Sequence, residues 1–139
     1  MPRDAVTACE GGTKRRSGIL VVEDEALLAS CIKDVLEESG FSVAVASSGP
    51  EALSLAFANP PDLALIDIRL RGPMSGIEVA CHLRDRLGVP PIFLSGAVDP
   101  HILERAKEAR PAGFLRKPFR PSQVFNAIER VLGGSSTVR

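Results

Sequence analysis

Gly18-Ile19-Leu20-Val21-Val22-Glu23-Asp24-Glu25 is the stretch on which the fold turns. Its apolar half has the length and continuity of a strand covered on both faces, and it ends in carboxylates. The construction recurs along the chain. Leu63-Ala64-Leu65-Ile66 ends in Asp67, Ile92-Phe93-Leu94 ends in Ser95, and Phe114-Leu115 leads through Arg116 to Lys117. In an open parallel sheet the strand ends lie along one edge, and ligands bind there where the strand order reverses. Three carboxylates, a hydroxyl and an ammonium are therefore expected in one crevice. Carboxylate oxygens ligate magnesium, while a lysine and a hydroxyl can hold phosphoryl oxygens. The residues point to a phosphoryl-accepting switch.

Outward from that stretch, the apolar pattern alternates between two periods. Short continuous runs at about 18–23, 42–46, 62–67, 91–95 and 113–116 read as strands covered on both faces. Between them lie stripes of helical period. Leu28, Ile32, Val35 and Leu36 precede a stop at Gly40, and Ala52, Leu53, Ala56 and Phe57 follow Ser48-Gly49-Pro50-Glu51. Ile77, Val79, Ala80, Leu83 and Leu87 run to Gly88. A fourth stripe starts at Asp99-Pro100 with Ile102, Leu103, Ala106 and Ala109, and the fifth follows Pro121 with Val124, Phe125, Ile128, Val131 and Leu132. Strands alternating with helices, joined by right-handed crossovers, predict an α/β fold. Its form is a flavodoxin-like doubly wound sheet of five parallel strands in the order 2-1-3-4-5, with five helices. The folded unit is expected over 18–132, with mobile polar tails at 1–17 and 133–139.

The chain has 139 residues and 45% hydrophobic content, enough for one core and too short for two ordinary domains. With 17 basic and 17 acidic residues the net charge is zero, so no overall field draws it to nucleic acid or to a membrane. No apolar run approaches the roughly 20 residues of a membrane span, and the polar start lacks the apolar core of a signal peptide. A cytoplasmic location without membrane insertion or direct nucleic-acid contact is the expectation. Cys9, Cys31 and Cys81 show neither a disulfide framework nor zinc spacing, and Cys31 and Cys81 read as buried small residues. His82 and His101 read as solvent-exposed, and Lys14-Arg15-Arg16 as part of a solvated tail.

The five strand-end elements, in order, resemble the receiver domain of bacterial two-component response regulators. That family places an acidic pair after the first strand, a phospho-accepting aspartate after the third, Thr or Ser after the fourth and Lys-Pro after the fifth. Glu23-Asp24, Asp67, Ser95 and Lys117-Pro118 match it, and Gly113-Phe114-Leu115-Arg116-Lys117-Pro118-Phe119 is close to the final signature. The resemblance covers roughly Gly18 to Leu132. It implies magnesium bound by Asp24 and Asp67 directly, by Glu23 through water, and by the backbone carbonyl of Arg69. It also implies Asp67 as phosphoacceptor, Lys117 as counter-charge, and Ser95 and Phe114 as switch residues. The implied partners are a sensor histidine kinase or histidine phosphotransfer protein and a downstream protein. The downstream protein would be met on the face of the fourth helix, fifth strand and fifth helix, and a phosphorylation-dependent dimer is compatible with the pattern. The only catalysis implied is of the domain's own phosphoryl transfer and dephosphorylation.

Each residue also has a plainer reading. Asp24 could cap the first helix, with Glu23 or Glu25 at its positive end. Asp67 could make an Asx turn, Ser95 an ordinary turn, and Lys117 could be solvated before a proline. Two adjacent carboxylates repel, however, and a cation would offset that repulsion.

A switch driven from 1:99 to 99:1 needs about 5.5 kcal/mol, against roughly 1.5–3 kcal/mol from one charged hydrogen bond. The work must be shared among Ser95, Lys117, the metal and the loops after Asp67 and Ser95. Phe114 stands where the family often has tyrosine, which leaves ring packing without a hydroxyl. Arg69 and Ala97 stand where the family controls water access to the acyl phosphate, and Arg110-Pro111-Ala112-Gly113 breaks the helix before the last strand with a proline. Because the chain ends soon after the fifth helix, output is expected to pass through another protein. The runner-up reading is a phosphate shuttle or sink in a relay. A flavodoxin-like electron carrier would need a Ser/Thr/Gly-rich phosphate cradle where Glu23-Asp24-Glu25 stands. An aspartate-nucleophile phosphatase of the haloacid dehalogenase type would need an acid where Arg69 stands.

Overall fold

The computed structural model describes residues 16–97 and 100–133. The elements follow the expected alternation: β1 (Gly18–Val22), α1 (Ala26–Glu38), β2 (Ser42–Ala46), α2 (Gly49–Ala58), β3 (Leu63–Asp67), α3 (Gly76–Leu87), β4 (Pro91–Ser95), α4 (Pro100–Ala106), β5 (Gly113–Arg116) and α5 (Pro121–Leu132). All five strands are parallel, in the order β2-β1-β3-β4-β5. The expected tails lie outside the described residues except for Arg16, Ser17 and Gly133. The carbonyl of Ser17 accepts a bond from the amide of Ser42 at 2.9 Å. Asp99, expected to open the fourth helix, also lies outside them.

Alternation along the central strands divides the core into two layers. Leu20, Val22, Ala64, Ile66 and Phe93 face α2, α3 and α4, while Ile19, Val21, Leu63, Leu65, Ile92 and Leu94 face α1 and α5. All are buried, and each large side chain among them contributes about 1.5–3 kcal/mol relative to exposure. Helix punctuation matches the residue types. Ser48 accepts from the amide of Glu51, with Pro50 in the first turn, and Gly88 ends α3 at φ 67, a left-handed position that glycine occupies without strain.

Several expectations need correction. Only β1, β3 and β4 are covered on both faces, because β2 and β5 are the outer strands and have no neighbour beyond them. Ser42 and Ala44 on β2, and Phe114 and Arg116 on β5, are exposed. Phe57 keeps 46% of its surface and Leu103 36%, since α2 buries the narrow stripe Gly49, Ala52 and Ala56 and α4 buries Ala106. The fourth helix stops at Ala106 and tightens into a 3₁₀ turn over Lys107–Ala109, after which Arg110 adopts a left-handed conformation at φ 49. Cys31 is exposed and Cys81 half-buried, because Ala29, Ile32 and Leu36 form the inward stripe of α1 and Ala80 and Leu83 that of α3. His101 is exposed as expected, whereas His82 is half-buried.

Candidate functional site

The carboxyl ends of β1, β3, β4 and β5 bring Glu23, Asp24, Asp67, Ser95 and Lys117 together along one sheet edge. Glu23 follows the last residue of β1, and its amide donates to the carbonyl of Ala46 at 3.0 Å, which carries the strand geometry one residue further. Its carboxylate is therefore drawn inside, at 1% exposure. Asp67 and Ser95 are also buried, at the ends of β3 and β4. The carbonyl of Ser95 accepts from the amide of Lys117 at 2.7 Å, which ties the fifth strand's end to the fourth's. The Lys117–Pro118 peptide bond is cis.

Lys117 is the hub. Its Nζ lies 3.1 Å from Glu23 Oε1 and 3.3 Å from Asp67 Oδ2. The remaining carboxylate oxygens turn to backbone amides: Glu23 Oε2 accepts from Glu25 at 3.1 Å and Asp67 Oδ1 from Arg69 at 2.9 Å. The second of these is an Asx turn. The plain reading of Asp67 thus coexists with the functional one, since the turn holds one oxygen and leaves the other facing Lys117. Asp24 does not cap α1. Its Oδ2 accepts from the amide of Arg71 at 3.0 Å, and the N-cap residue of α1, Glu25, makes no side-chain bond to the helix.

Charge follows from this packing. Burial first, and the neighbouring charge of Asp67 second, push the Glu23 carboxyl above its ordinary range, against the hydrogen bonds from Glu25 and Lys117. Burial pulls Lys117 downward, but its hydrogen bond to Glu23 and the charges of Asp67 and Glu23 outweigh that pull, so its ammonium is held more firmly than usual. Lys117 thus stays cationic between Glu23 and Asp67. One carboxylate oxygen each from Glu23, Asp24 and Asp67 lies within 4.8 Å of the others. An all-oxygen, net-acidic donor set with a buried member fits a hard divalent cation such as magnesium.

Three residues that sequence reading passed over position this edge. A Cβ on Gly76 would lie 2.0 Å from the carbonyl oxygen of Asp67, so α3 can start against the end of β3 only with glycine there. Ser75 and Glu78 form a reciprocal capping box at the same helix start, at 3.1 and 2.9 Å. Its Ser-x-x-Glu spacing was readable in the sequence. Gly76 left no comparable signal, because the contact it permits is tertiary.

The proposed switch residues share a face. Phe93 pairs in register with Phe114, and Ser95 follows two residues after Phe93, so all three point to the same side of the sheet. Phe114 keeps 46% of its surface exposed and packs its ring 5.8 Å from that of buried Phe93. Nearby, the Arg69 guanidinium reaches across to the carbonyl of Ala97 at 3.4 Å. Among the described residues no helix is long and apolar enough to cross a membrane.

Comparison with known proteins bears on the same residues. The family described as "Response regulator receiver domain" matches residues 19–129. The DNA-binding response regulator MtrA of Mycolicibacterium paratuberculosis is 38% identical over 109 residues, covering 78% of this chain and 48% of MtrA. The transcriptional regulatory protein PdtaR of Mycobacterium tuberculosis is 32% identical over 124 residues, covering 88% of this chain and 59% of PdtaR. The chain thus spans about half the length of the curated relatives it matches. Among solved structures, the signal receiver domain of a modulated diguanylate cyclase from Desulfovibrio desulfuricans G20 superposes with a TM-score of 0.82 at 33% identity, covering 90% of this chain and all of that one. The Vibrio cholerae chemotaxis protein CheY4 superposes with a TM-score of 0.78 at 25% identity, covering 84% of this chain and 99% of that one.

Proposed function

The chain belongs to the response regulator receiver domain family, and from that premise we propose that it accepts a phosphoryl group on Asp67 from a histidine kinase or histidine phosphotransfer protein. The observation that carries this reading is the single ammonium of Lys117 set between Glu23 and Asp67, with Asp67's other oxygen held by the Arg69 amide. In the transfer, the Asp67 oxygen that faces Lys117 attacks phosphorus in line. An O–P bond forms as the donor's N–P bond breaks, and the donor imidazole leaves with the bonding pair. Lys117 then neutralises phosphoryl oxygens, and the Ser95 hydroxyl donates to one of them. Glu23, Asp24, Asp67 and the carbonyl of Arg69 would hold magnesium, which when bound supplies positive charge to the transferring group.

A groove lined by Leu28, Cys31, Ile32, Val35, Phe119, Pro121 and Val124 lies between α1 and α5. Leu28 and Phe119 are shared with a second hollow that also includes Lys117. The apolar surface thus leads to the reactive edge, as a helical phosphodonor would require. Output is proposed to leave by protein contacts on the side of α4, β5 and α5, in the cytoplasm. The chain is proposed to catalyse nothing beyond its own phosphorylation and dephosphorylation. DNA binding is a property named for MtrA.

The test uses magnesium and acetyl phosphate. Intact-mass spectrometry should show one acid-stable, base-labile phosphoryl group on the wild type and none on Asp67→Asn. Equal labelling of both would refute the assignment.

A further inference from the structure

Among the described residues, two cations serve the three acids. Lys117 sits between Glu23 and Asp67, while Asp24 is left to Arg71. Arg71 approaches it twice: its amide donates to Asp24 Oδ2 at 3.0 Å and its Nε lies 3.5 Å from the same oxygen. The two contacts differ in kind. The amide belongs to the loop between β3 and α3, whereas the guanidinium belongs to a side chain that is 87% exposed and reaches a carboxylate only 18% exposed.

We propose that Arg71 is a displaceable internal counter-ion of Asp24, and that it sets the concentration at which a divalent cation loads the site. This rests on the reading of Glu23, Asp24 and Asp67 as metal ligands. A divalent cation held by Asp24 and the guanidinium draw on the same negative charge and repel each other at close range. The guanidinium is the weaker contender, since an exposed ion pair is screened by solvent and a long side chain loses rotamer freedom to form it. It can also swing into solvent, since its side chain is already largely exposed. The open cleft that it lines with Arg69, Arg105 and Ser75 is cationic and repels the guanidinium rather than holding it. The amide contact can persist when the side chain leaves, so the loop need not be rebuilt on loading. Lys117 cannot take over this role, because its ammonium is already bonded to the other two acids.

The test is calorimetric titration of magnesium chloride into the unphosphorylated full chain at low ionic strength. It compares wild type, Arg71→Ala, Arg71→Lys, Asp24→Asn and the double variant Arg71→Ala with Asp24→Asn. Arg71→Ala should bind magnesium roughly two- to five-fold more tightly, the range open to an exposed ion pair. Arg71→Lys should stay near wild type, and added salt should narrow the gap. In the Asp24→Asn background, Arg71→Ala should leave the residual magnesium affinity unchanged. Saturable wild-type binding with Arg71→Ala equal or weaker would overturn the role of Arg71 and leave the metal site standing. No saturable binding by the wild type would overturn the metal-site reading and this inference with it.

Discussion

At the carboxyl ends of β1 and β3, Glu23 and Asp67 are buried and each carboxylate is held by one backbone amide and one ammonium. On the flank formed by α4 and β5, Phe114 and Leu103 keep much of their surface in solvent, and α4 buries Ala106 alone. The same sheet supports both regions. At the edge, strand ends leave backbone donors that take up carboxylate oxygens, so position follows from the backbone. On the flank, the outer strand and a helix of seven residues leave apolar area uncovered, and uncovered apolar area is what a partner can bury. The edge is fixed by backbone donors, whereas the flank leaves apolar area open.

The hardest blow to that contrast is Gly76→Ala. The new methyl meets the Asp67 carbonyl, so α3 must shift, with an expected loss of about 1–3 kcal/mol and of Asp67 labelling. Urea titration and phosphorylation assays check it, and a variant as stable and active as wild type would show the edge to be as yielding as the flank. Phe114→Ala comes next, at about 1–1.5 kcal/mol, because a half-exposed ring loses its contact with Phe93. It should keep Asp67 labelling while weakening phosphorylation-dependent partner binding in pull-downs, with Phe114→Tyr milder since an outward hydroxyl stays hydrated.

Glu23→Gln should act in the opposite direction. The Glu23 carboxyl is raised by burial and by Asp67, so the folded chain keeps this proton to a higher pH than the unfolded one. Its contribution to stability is full below the ordinary glutamate range and is lost as pH rises through the raised value. At neutral pH without a divalent cation, Glu23→Gln should therefore match or exceed the stability of wild type. The difference should vanish in acid, and magnesium should favour wild type. Urea titrations at both pH values read it, and a large loss in Glu23→Gln at neutral pH without cation would show that Lys117 outweighs burial. The smallest effect belongs to Leu103→Ser, about 1 kcal/mol in stability, because a third of the side chain already lies in solvent and only the rest loses its apolar burial. A drop in partner binding beyond what that loss of stability explains would sharpen the contrast.

The sequence by itself determined the element order, the strand ends and the convergence of Glu23, Asp24, Asp67, Ser95 and Lys117. The reason is that period, run length and turn chemistry are local, and a parallel sheet turns strand ends into one edge without further instruction. It could not show which strands would be outermost, so β2 and β5 read as fully covered, and Phe57, Leu103, Cys31 and Cys81 were assigned to the interior. Coverage depends on neighbours supplied by distant segments. Tertiary structure also decided that Asp24 turns to Arg71, 47 residues away, and that Gly76 lies against the Asp67 carbonyl. Such contacts depend on how separate βα units pack on one another, and no local spacing in the chain records that.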